Sequence, residues 1–149
     1  MQKLNFMNSK EVKVLIRELE EQYGCQLKIE RALLKSSKDK VYAISKDFAQ
    51  INDKQLRVNN LGMYFCKFEK DGIRLTIEGA QLLSPKKNFI DINKEEAAKW
   101  IRGEDIETDA EVSGYIIIRH NNDIIGCGKF KEGRILNYTP KDRRIKAAQ

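Results

Sequence analysis

The sequence is poor in several residues on which small folds and catalytic sites depend. Its 149 residues include three cysteines, two prolines and one histidine, His120. The cysteines are odd in number, widely spaced and without a Cys-x-x-Cys pair, which argues against a disulfide framework. A zinc site of two cysteines and two histidines is excluded because the chain has a single histidine. We therefore predict no metal and expect the three thiols to be buried as small hydrophobic residues.

Long apolar runs are also absent. No stretch of the chain approaches the roughly 18 uncharged apolar residues that a membrane span needs. The opening residues, MQKLNFMNSKEVK, lack the apolar segment of a secretory signal. These absences predict a soluble cytoplasmic protein without a membrane partner.

Nucleotide-binding and catalytic motifs are missing as well. There is neither a G-x-G-x-x-G after a strand nor a G-x-x-x-x-G-K-[ST] loop. The G-x-G of Gly126 and Gly128 lies between predicted strands, so it cannot present helix N–H groups to a phosphate. A nucleophilic pair of Cys127 with His120 has no evident third residue to orient it. We predict no cofactor and no enzymatic reaction, and keep an enzyme using Cys127 as a remote alternative.

Charge, in contrast, is abundant and unevenly placed. Charged residues make up 34% of the chain and the net charge is +6. Residues 85–128 carry 6 basic and 9 acidic side chains, whereas residues 129–149 carry 7 basic and 2 acidic ones. A polyanion is the simplest partner for such a basic block, and nucleic acid is favoured over membrane because no basic amphipathic helix accompanies it. A solvated basic tail is the alternative.

Apolar periodicity and capping residues predict two main helices. The first runs from about Lys10 to Tyr23, with Asn8 or Ser9 as its cap and a glycine at its end. The second begins after Asn93 and ends at Gly103. A short helix is predicted at 45–51. Residues 104–111 hold five acidic side chains and no basic one, which predicts an exposed loop that is not a site for RNA.

Strand-like patterns fill much of the remaining chain. Two hairpins are predicted, one turning at Lys70-Asp71-Gly72 and the other at Asn121-Asn122. A break or bulge is predicted at 59–62. The predicted strands are 26–29, 41–45, 63–68, 73–83, 88–92, 114–120, 123–130 and 134–138.

The segment GYIIIRHNNDIIGCGKFKEGRILNYTPKDRR resembles the C-terminal end of Sun-type RNA 5-methylcytosine methyltransferases, which end in a PUA-like RNA-binding module. The resemblance covers roughly residues 84–146 and includes the upstream segment EEAAKWIRGEDIE. The shared G-x-G-K strand and N-x-x-P-K-x-x-R run correspond here to Gly126, Gly128, Lys129, Asn137, Pro140, Lys141 and Arg144. The N-terminal half is more loosely similar to the small α/β modules that precede PUA domains.

The resemblance implies an α+β fold, with an N-terminal α/β (pre-PUA-like) subdomain in residues 1–84 and a C-terminal PUA-like mixed β-barrel in residues 85–149. It also implies an RNA-binding appendage without the enzyme. The methyltransferases carry catalytic cysteines after Pro and Thr, whereas the cysteines here follow Gly24, Phe65 and Gly126. The chain is moreover shorter than the cofactor-binding domain of those enzymes would require.

The predicted function is recognition of structured RNA, rRNA or tRNA, in ribosome biogenesis or RNA modification, with no DNA partner expected. Cations would contact phosphates, while Asn137 and Tyr138 would lie nearer bases or riboses. The predicted RNA-binding residues are Gly126, Gly128, Lys129, Lys131, Arg134, Asn137, Tyr138, Lys141, Arg143 and Arg144. An RNA methyltransferase or a pre-ribosomal particle is a further possible partner. The alternative function is a protein-interaction subunit that docks on a separate RNA methyltransferase or a ribosome-assembly factor through the acidic loop 104–111 and the exposed apolar hairpin residues.

Overall fold

The computed structural model describes residues 4–25, 32–44, 63–141 and 144. The strand predicted at 26–29, the helix at 45–51, the break at 59–62 and Arg143 lie outside the described residues. Within the described ranges, helices and strands are mixed along the chain, which confirms the α+β class.

Three helices are described, and each begins at a side-chain cap. Helix α1 (Ser9–Tyr23) and helix α3 (Lys94–Ile101) start with capping boxes, Asn8 with Glu11 and Asn93 with Glu96. Helix α2 (Ile77–Leu83) starts at Thr76, whose hydroxyl accepts a hydrogen bond from the Gly79 N–H at 2.9 Å. The predictions for α1 and α3, including Asn8 as the cap, are thus confirmed.

The first sheet is antiparallel throughout and follows chain order. Its strands are β1 (Leu4–Phe6), β2 (Ala32–Ser36), β3 (Lys40–Ile44), β4 (Met63–Glu69) and β5 (Gly72–Leu75). The predicted hairpin between β4 and β5 is present, with Lys67 opposite Arg74. Strand β2 is absent from the predicted strands because the segment KSSKDK (35–40) is polar throughout, whereas in the structure only residues 37–39 form a turn.

The predicted second strand of that hairpin is wrong beyond Leu75. The segment IEGAQLL forms helix α2 because Thr76 ends the strand and caps the helix. The Thr76 hydroxyl also donates to the carbonyl of Tyr64 at 2.7 Å, so it joins the helix start to β4. Strand propensity in a short apolar run cannot reveal such a contact.

The second sheet has the order β6-β8-β9-β10-β7. Strand β6 (Phe89–Asp91) pairs parallel to β8 (Tyr115–His120), and the other pairs are antiparallel. Strand β9 (Asp123–Lys131) links β8 to β10 (Arg134–Asn137), and β7 (Ile106–Glu107) lies at the edge. The predicted turn at Asn121-Asn122 is confirmed: their φ values of 49° and 68° are the left-handed geometry of a tight hairpin.

Strand β7 lies within residues 104–111, so the prediction that this whole segment is a loop is partly wrong. Ile106 is buried and pairs with Ile135, while Glu107 is exposed and pairs with Arg134. A two-residue strand is too short to show alternation in the sequence. The acidic side chains are therefore displayed at a sheet edge as well as on a loop.

Strand β8 divides its side chains between two hydrophobic clusters. Ile117 packs in one cluster with Leu15 and Tyr23 of α1 and with Phe65 of β4. Its neighbours Ile116 and Ile118 pack in the other, around Trp100 of α3. The second sheet therefore has its two faces covered by different parts of the chain, with α1 and the first sheet on one side and α3 on the other.

The predicted division at residue 84 coincides with the change from one sheet to the other. The first cluster nevertheless has members on both sides of that position, from Leu15 to Cys127. The division into residues 1–84 and 85–149 stays a prediction about two domains, and the shared cluster shows that the two halves pack on each other.

Candidate nucleic-acid interface

The G-x-G of strand β9 packs under the ring of Trp100. A Cβ atom at Gly126 would lie 2.2 Å from the Trp100 Nε1, and one at Gly128 would lie 2.3 Å from the carbonyl oxygen of Leu136. Trp100 itself is 0% exposed. Both glycines thus let an indole ring and a neighbouring strand approach the β9 backbone. Their place in the RNA-binding surface stays a prediction, and the contacts that both glycines make are internal to the protein.

Asn137 ties the end of β10 to the end of α3. Its amide nitrogen donates to the carbonyls of Trp100 at 2.8 Å and Glu104 at 2.9 Å, and its amide oxygen accepts from the Thr139 N–H at 2.8 Å. These bonds use both amide hydrogens and one lone pair of the oxygen. The side chain of Asn137 therefore fixes the segment that follows β10 against the end of α3.

Arg144 also folds back onto the protein. Its Nε donates to the carbonyl of Thr139 at 3.0 Å, and a Cβ atom at Gly103 would lie 2.5 Å from its Cδ. Lys141, by contrast, is exposed. Of the predicted cations after Pro140, Lys141 is open to solvent, Arg144 supports the segment that precedes it, and Arg143 lies outside the described residues.

Lys129 joins the two halves through an ion pair. Its Nζ contacts the carboxylate of Asp71 in the β4–β5 turn, and the same carboxylate accepts a hydrogen bond from the Tyr115 hydroxyl at 3.0 Å. The hydrogen bond from Lys129, followed by that from Tyr115, lowers the pKa of Asp71 below its ordinary value. The same pairing raises the pKa of Lys129. The charge of Lys129 is thus partly neutralised by an internal carboxylate.

Lys131 and Arg134 face each other at the far end of the β9–β10 hairpin. Both are exposed, and they are directly paired in the strand register. Arg134 also borders a groove lined by carboxylates. The acidic residues of that groove are Asp91, Glu96, Glu107, Asp109 and Glu132. Arg134 therefore lies beside negative charge, which weakens its attraction for a polyanion.

Tyr138 lies apart from that hairpin end, at the junction of the two halves. Its ring is 6.1 Å from the ring of Tyr115, and the guanidinium of Arg74 lies 5.2 Å from its centroid. Across the junction, the Lys40 Nζ lies 5.3 Å from the ring centroid of Tyr64. Cations and aromatic rings thus come together at a place that was not predicted.

Sequence reasoning missed Lys40, Tyr64 and Arg74 because each belongs to the N-terminal half. The available signal is the alternation in MYFCKF and GIRL, which puts Lys67 and Arg74 opposite each other on the outer face of β4 and β5. Lys67 and Arg74 share Glu69, at 3.6 Å and 3.4 Å respectively. The contact of Arg74 with the ring of Tyr138 depends on how the two halves pack.

The cysteine and histidine considered for catalysis do not form a site. Cys127 is buried, and desolvation raises the pKa of its thiol to about 12. In the register of β8 and β9, Cys127 pairs with Ile117, whereas His120 pairs with Asp123 at the turn. The His120 Nδ1 donates to the carbonyl of Ile92 at 2.9 Å. The described residues hold no cluster of three or more potential metal ligands, and none of the described helices is long and apolar enough to span a membrane.

Comparison with known proteins connects this architecture to RNA methyltransferases. Residues 87–145 match the model of the family described as Methyltransferase RsmF PUA domain. Ribosomal RNA small subunit methyltransferase F of Aeromonas hydrophila is 26% identical over 137 residues, which cover 90% of this chain and 28% of the relative. The Vibrio cholerae protein of the same description is 29% identical over 91 residues, covering 59% of this chain and 19% of the relative.

A solved structure extends the likeness to both halves. The conserved PUA domain protein from Thermoplasma acidophilum superposes with a TM-score of 0.60 at 13% identity, covering 95% of this chain and 98% of the other. At that identity the superposition shows the fold, and it confirms the PUA-like architecture. The chain spans about 28% of the length of the Aeromonas relative.

The fold and the matched segment together define a PUA-like module. More particularly, the module resembles the C-terminal region of the Sun-type RNA methyltransferases, as predicted. Its matched segment is related to the PUA domain of rRNA small-subunit methyltransferases.

Proposed function

We propose that this chain is a non-catalytic RNA-binding protein that recognises structured RNA in the cytoplasm, during ribosome biogenesis or RNA modification. The observation that carries the proposal is the match of residues 87–145 to a PUA domain, because this segment also contains most of the basic C-terminal block. We propose rRNA as the first target, since the relatives are described as small-subunit rRNA methyltransferases. tRNA is the second.

The proposed contacts follow the exposure of each predicted residue. Lys131 and Lys141 are exposed and would meet phosphates directly. Gly126, Gly128 and Asn137 would support the RNA-binding surface without touching RNA, because the contacts described for them are internal to the protein. Lys129 and Arg134 would contribute less, since carboxylates lie beside both.

The non-catalytic part of the proposal is supported by the thiols. A nucleophilic cysteine needs a lowered pKa and access to substrate. Burial instead raises the pKa of Cys25 to about 11 and that of Cys127 to about 12. Burial also raises the pKa of Cys66. We propose that any reaction on the bound RNA is performed by a separate RNA methyltransferase or within a pre-ribosomal particle.

Binding to mixed cellular RNA at two salt concentrations, followed by sequencing of the retained RNA, tests this function. We expect salt-sensitive binding enriched in particular rRNA or tRNA segments. Lys141→Ala should lower the affinity and flatten the log–log salt dependence by about one unit. Lys13→Ala, at an exposed position of α1, is the matched control. Weak binding without enrichment, or equal behaviour of the two variants, would contradict the proposed surface.

A docking role has one specific observation in its favour. The carboxylate-lined groove beside β7 would repel RNA and would suit a basic protein surface. In this second candidate function the groove would bind an RNA methyltransferase or an assembly factor. Copurification of such a partner that survives nuclease treatment and is lost in Glu107→Lys would support it. Loss of the partner on nuclease treatment would leave RNA binding as the function.

A further inference from the structure

A small cavity lies where the two halves meet. Its volume is about 200 Å³. Lys40, Tyr64 and Arg74 line it from the N-terminal half, and Tyr138 and Thr139 line it from the C-terminal half. Drug-sized ligands generally occupy cavities of about 300–1,000 Å³, so this one suits a smaller group.

The C-terminal wall of the cavity is built from a segment that is fixed at several points. The Tyr138 N–H donates to the carbonyl of Cys127 at 3.3 Å. Thr139 is held through its N–H by Asn137 and through its carbonyl by Arg144. Asn137 and Arg144, which the sequence analysis predicts to contact RNA, thus position this wall, and its backbone needs little ordering when a ligand binds.

Cations accompany the aromatic rings of the cavity. Arg74 lies by the ring of Tyr138 and Lys40 by the ring of Tyr64. Arg74 also contacts Glu69, so its charge is partly balanced within the protein. Recognition of unpaired RNA uses this combination, in which a flat side chain stacks on a base while a cation meets the neighbouring phosphate.

The lining also contains a polar group that needs a partner. The Thr139 hydroxyl is buried and has no hydrogen-bond partner within the part of the chain that the structure describes. Buried hydroxyls are normally satisfied by protein, water or ligand. Glu78 lines the cavity as well. A lining of mixed polarity suits a neutral base with donors and acceptors on its edges better than it suits a phosphate.

We propose that this cavity binds one unpaired nucleobase of the RNA, with Tyr138 or Tyr64 as the stacking surface and Lys40 and Arg74 beside the flanking phosphates. This inference rests on the proposed RNA-binding function. It also gives the N-terminal half a direct part in recognition, because three of the residues that carry the proposal belong to that half.

Affinity for total cellular RNA, measured with tyrosine and arginine variants of the full chain, tests the site. Tyr138→Ala should weaken binding by about 5- to 100-fold with an unchanged salt slope, because stacking releases no counterions. Tyr138→Phe, which keeps the ring, should recover most of that loss. Arg74→Gln should weaken binding and flatten the slope by about 0.7. Thermal unfolding of each variant identifies those that fail to fold.

Crosslinking of the unmodified protein provides a readout that does not depend on folding of a variant. Total RNA from cells grown with 4-thiouridine is bound and irradiated, and the crosslinked peptides are identified. Crosslinks at Tyr64 or Tyr138 would support the site. RNA that binds and crosslinks only at 131–134 would overturn the site while leaving the proposed function intact. Failure of the protein to retain RNA at all would overturn both.

Discussion

Replacing Gly126 by alanine should destabilise the fold through Trp100. The added Cβ would lie 2.2 Å from the indole Nε1 and 3.0 Å from Cε2, whereas carbon atoms pack at about 3.5–4.0 Å. The ring must therefore move by more than about 1 Å, into a cluster whose members Ile116, Ile118 and Ile135 are fully buried. Overpacking of this kind costs about 1–3 kcal/mol. We expect about 2–3 kcal/mol here, which corresponds to a fall in Tm of about 5–10 °C.

The assay is urea denaturation with thermal unfolding as a second measure, and two further variants make it specific. Gly114→Ala adds a methyl group where no atom lies within 4 Å, at φ +70°, and should cost only the strain of that backbone, about 1–2 kcal/mol. Trp100→Phe removes part of the obstructing ring. In that background Gly126→Ala should be less costly, with a coupling of about 0.5–3 kcal/mol.

The reasoning would be refuted in either of two ways. Additive effects of Gly126→Ala and Trp100→Phe would show that the glycine is not required by the indole. A Gly126→Ala protein of normal stability but reduced RNA affinity would show that the β9 glycines contact RNA directly. The expected outcome is a loss of stability, with RNA affinity unchanged once the folded fraction is accounted for.

Three further predictions concern internal contacts. Asn137→Ala removes the hydrogen bonds to Trp100 and Glu104, and should lower the free energy of unfolding by about 1–3 kcal/mol in urea titrations. Unchanged stability would mean that these hydrogen bonds do not stabilise the fold. Because its native pKa is lowered, Asp71 contributes stability that is present above its unfolded pKa of about 3.9 and is lost as pH falls through the native pKa. Asp71→Asn should therefore reduce the acid dependence of stability, and an NMR titration that finds an ordinary pKa for Asp71 would contradict this. The Cys127 thiol, with its pKa raised to about 12, should resist alkylation at pH 8 in the native protein and react after unfolding; rapid native labelling would contradict its burial.

The sequence predicts those parts of the fold whose determinants are close together in the chain. The capping boxes of α1 and α3 each involve residues three apart, and both helix starts follow from them. The turn at Asn121-Asn122 depends on two adjacent residues that tolerate positive φ. Helix α2 is an exception. Its cap, Thr76 with Gly79, is also local, but the short apolar run after it fits a strand equally well, and the bond from Thr76 to the carbonyl of Tyr64, 12 residues away, is not visible in the sequence.

The candidate site is harder to predict from the sequence, because its geometry depends on contacts between residues that lie far apart in the chain. Asn137 has the residue type of an RNA-reading amide, yet its partners Trp100 and Glu104 lie 37 and 33 positions earlier. Arg74 approaches Tyr138 only because the first sheet packs beside the second. Charge clustering in the last 21 residues pointed to a polyanion partner, but it could not show that Arg134 faces carboxylates.

The hydrophobic cluster shared by the two halves bears on how such a module can be moved between proteins. A segment cut at residue 85 would keep the matched family region but leave Tyr115, Ile117 and Cys127 without Leu15, Tyr23 and the rest of their packing partners. Exposed apolar surface of that kind favours aggregation. The unit that can be recombined, transplanted or expressed is therefore the pair of sheets together, and gene fusions that add this module to an enzyme should carry both halves.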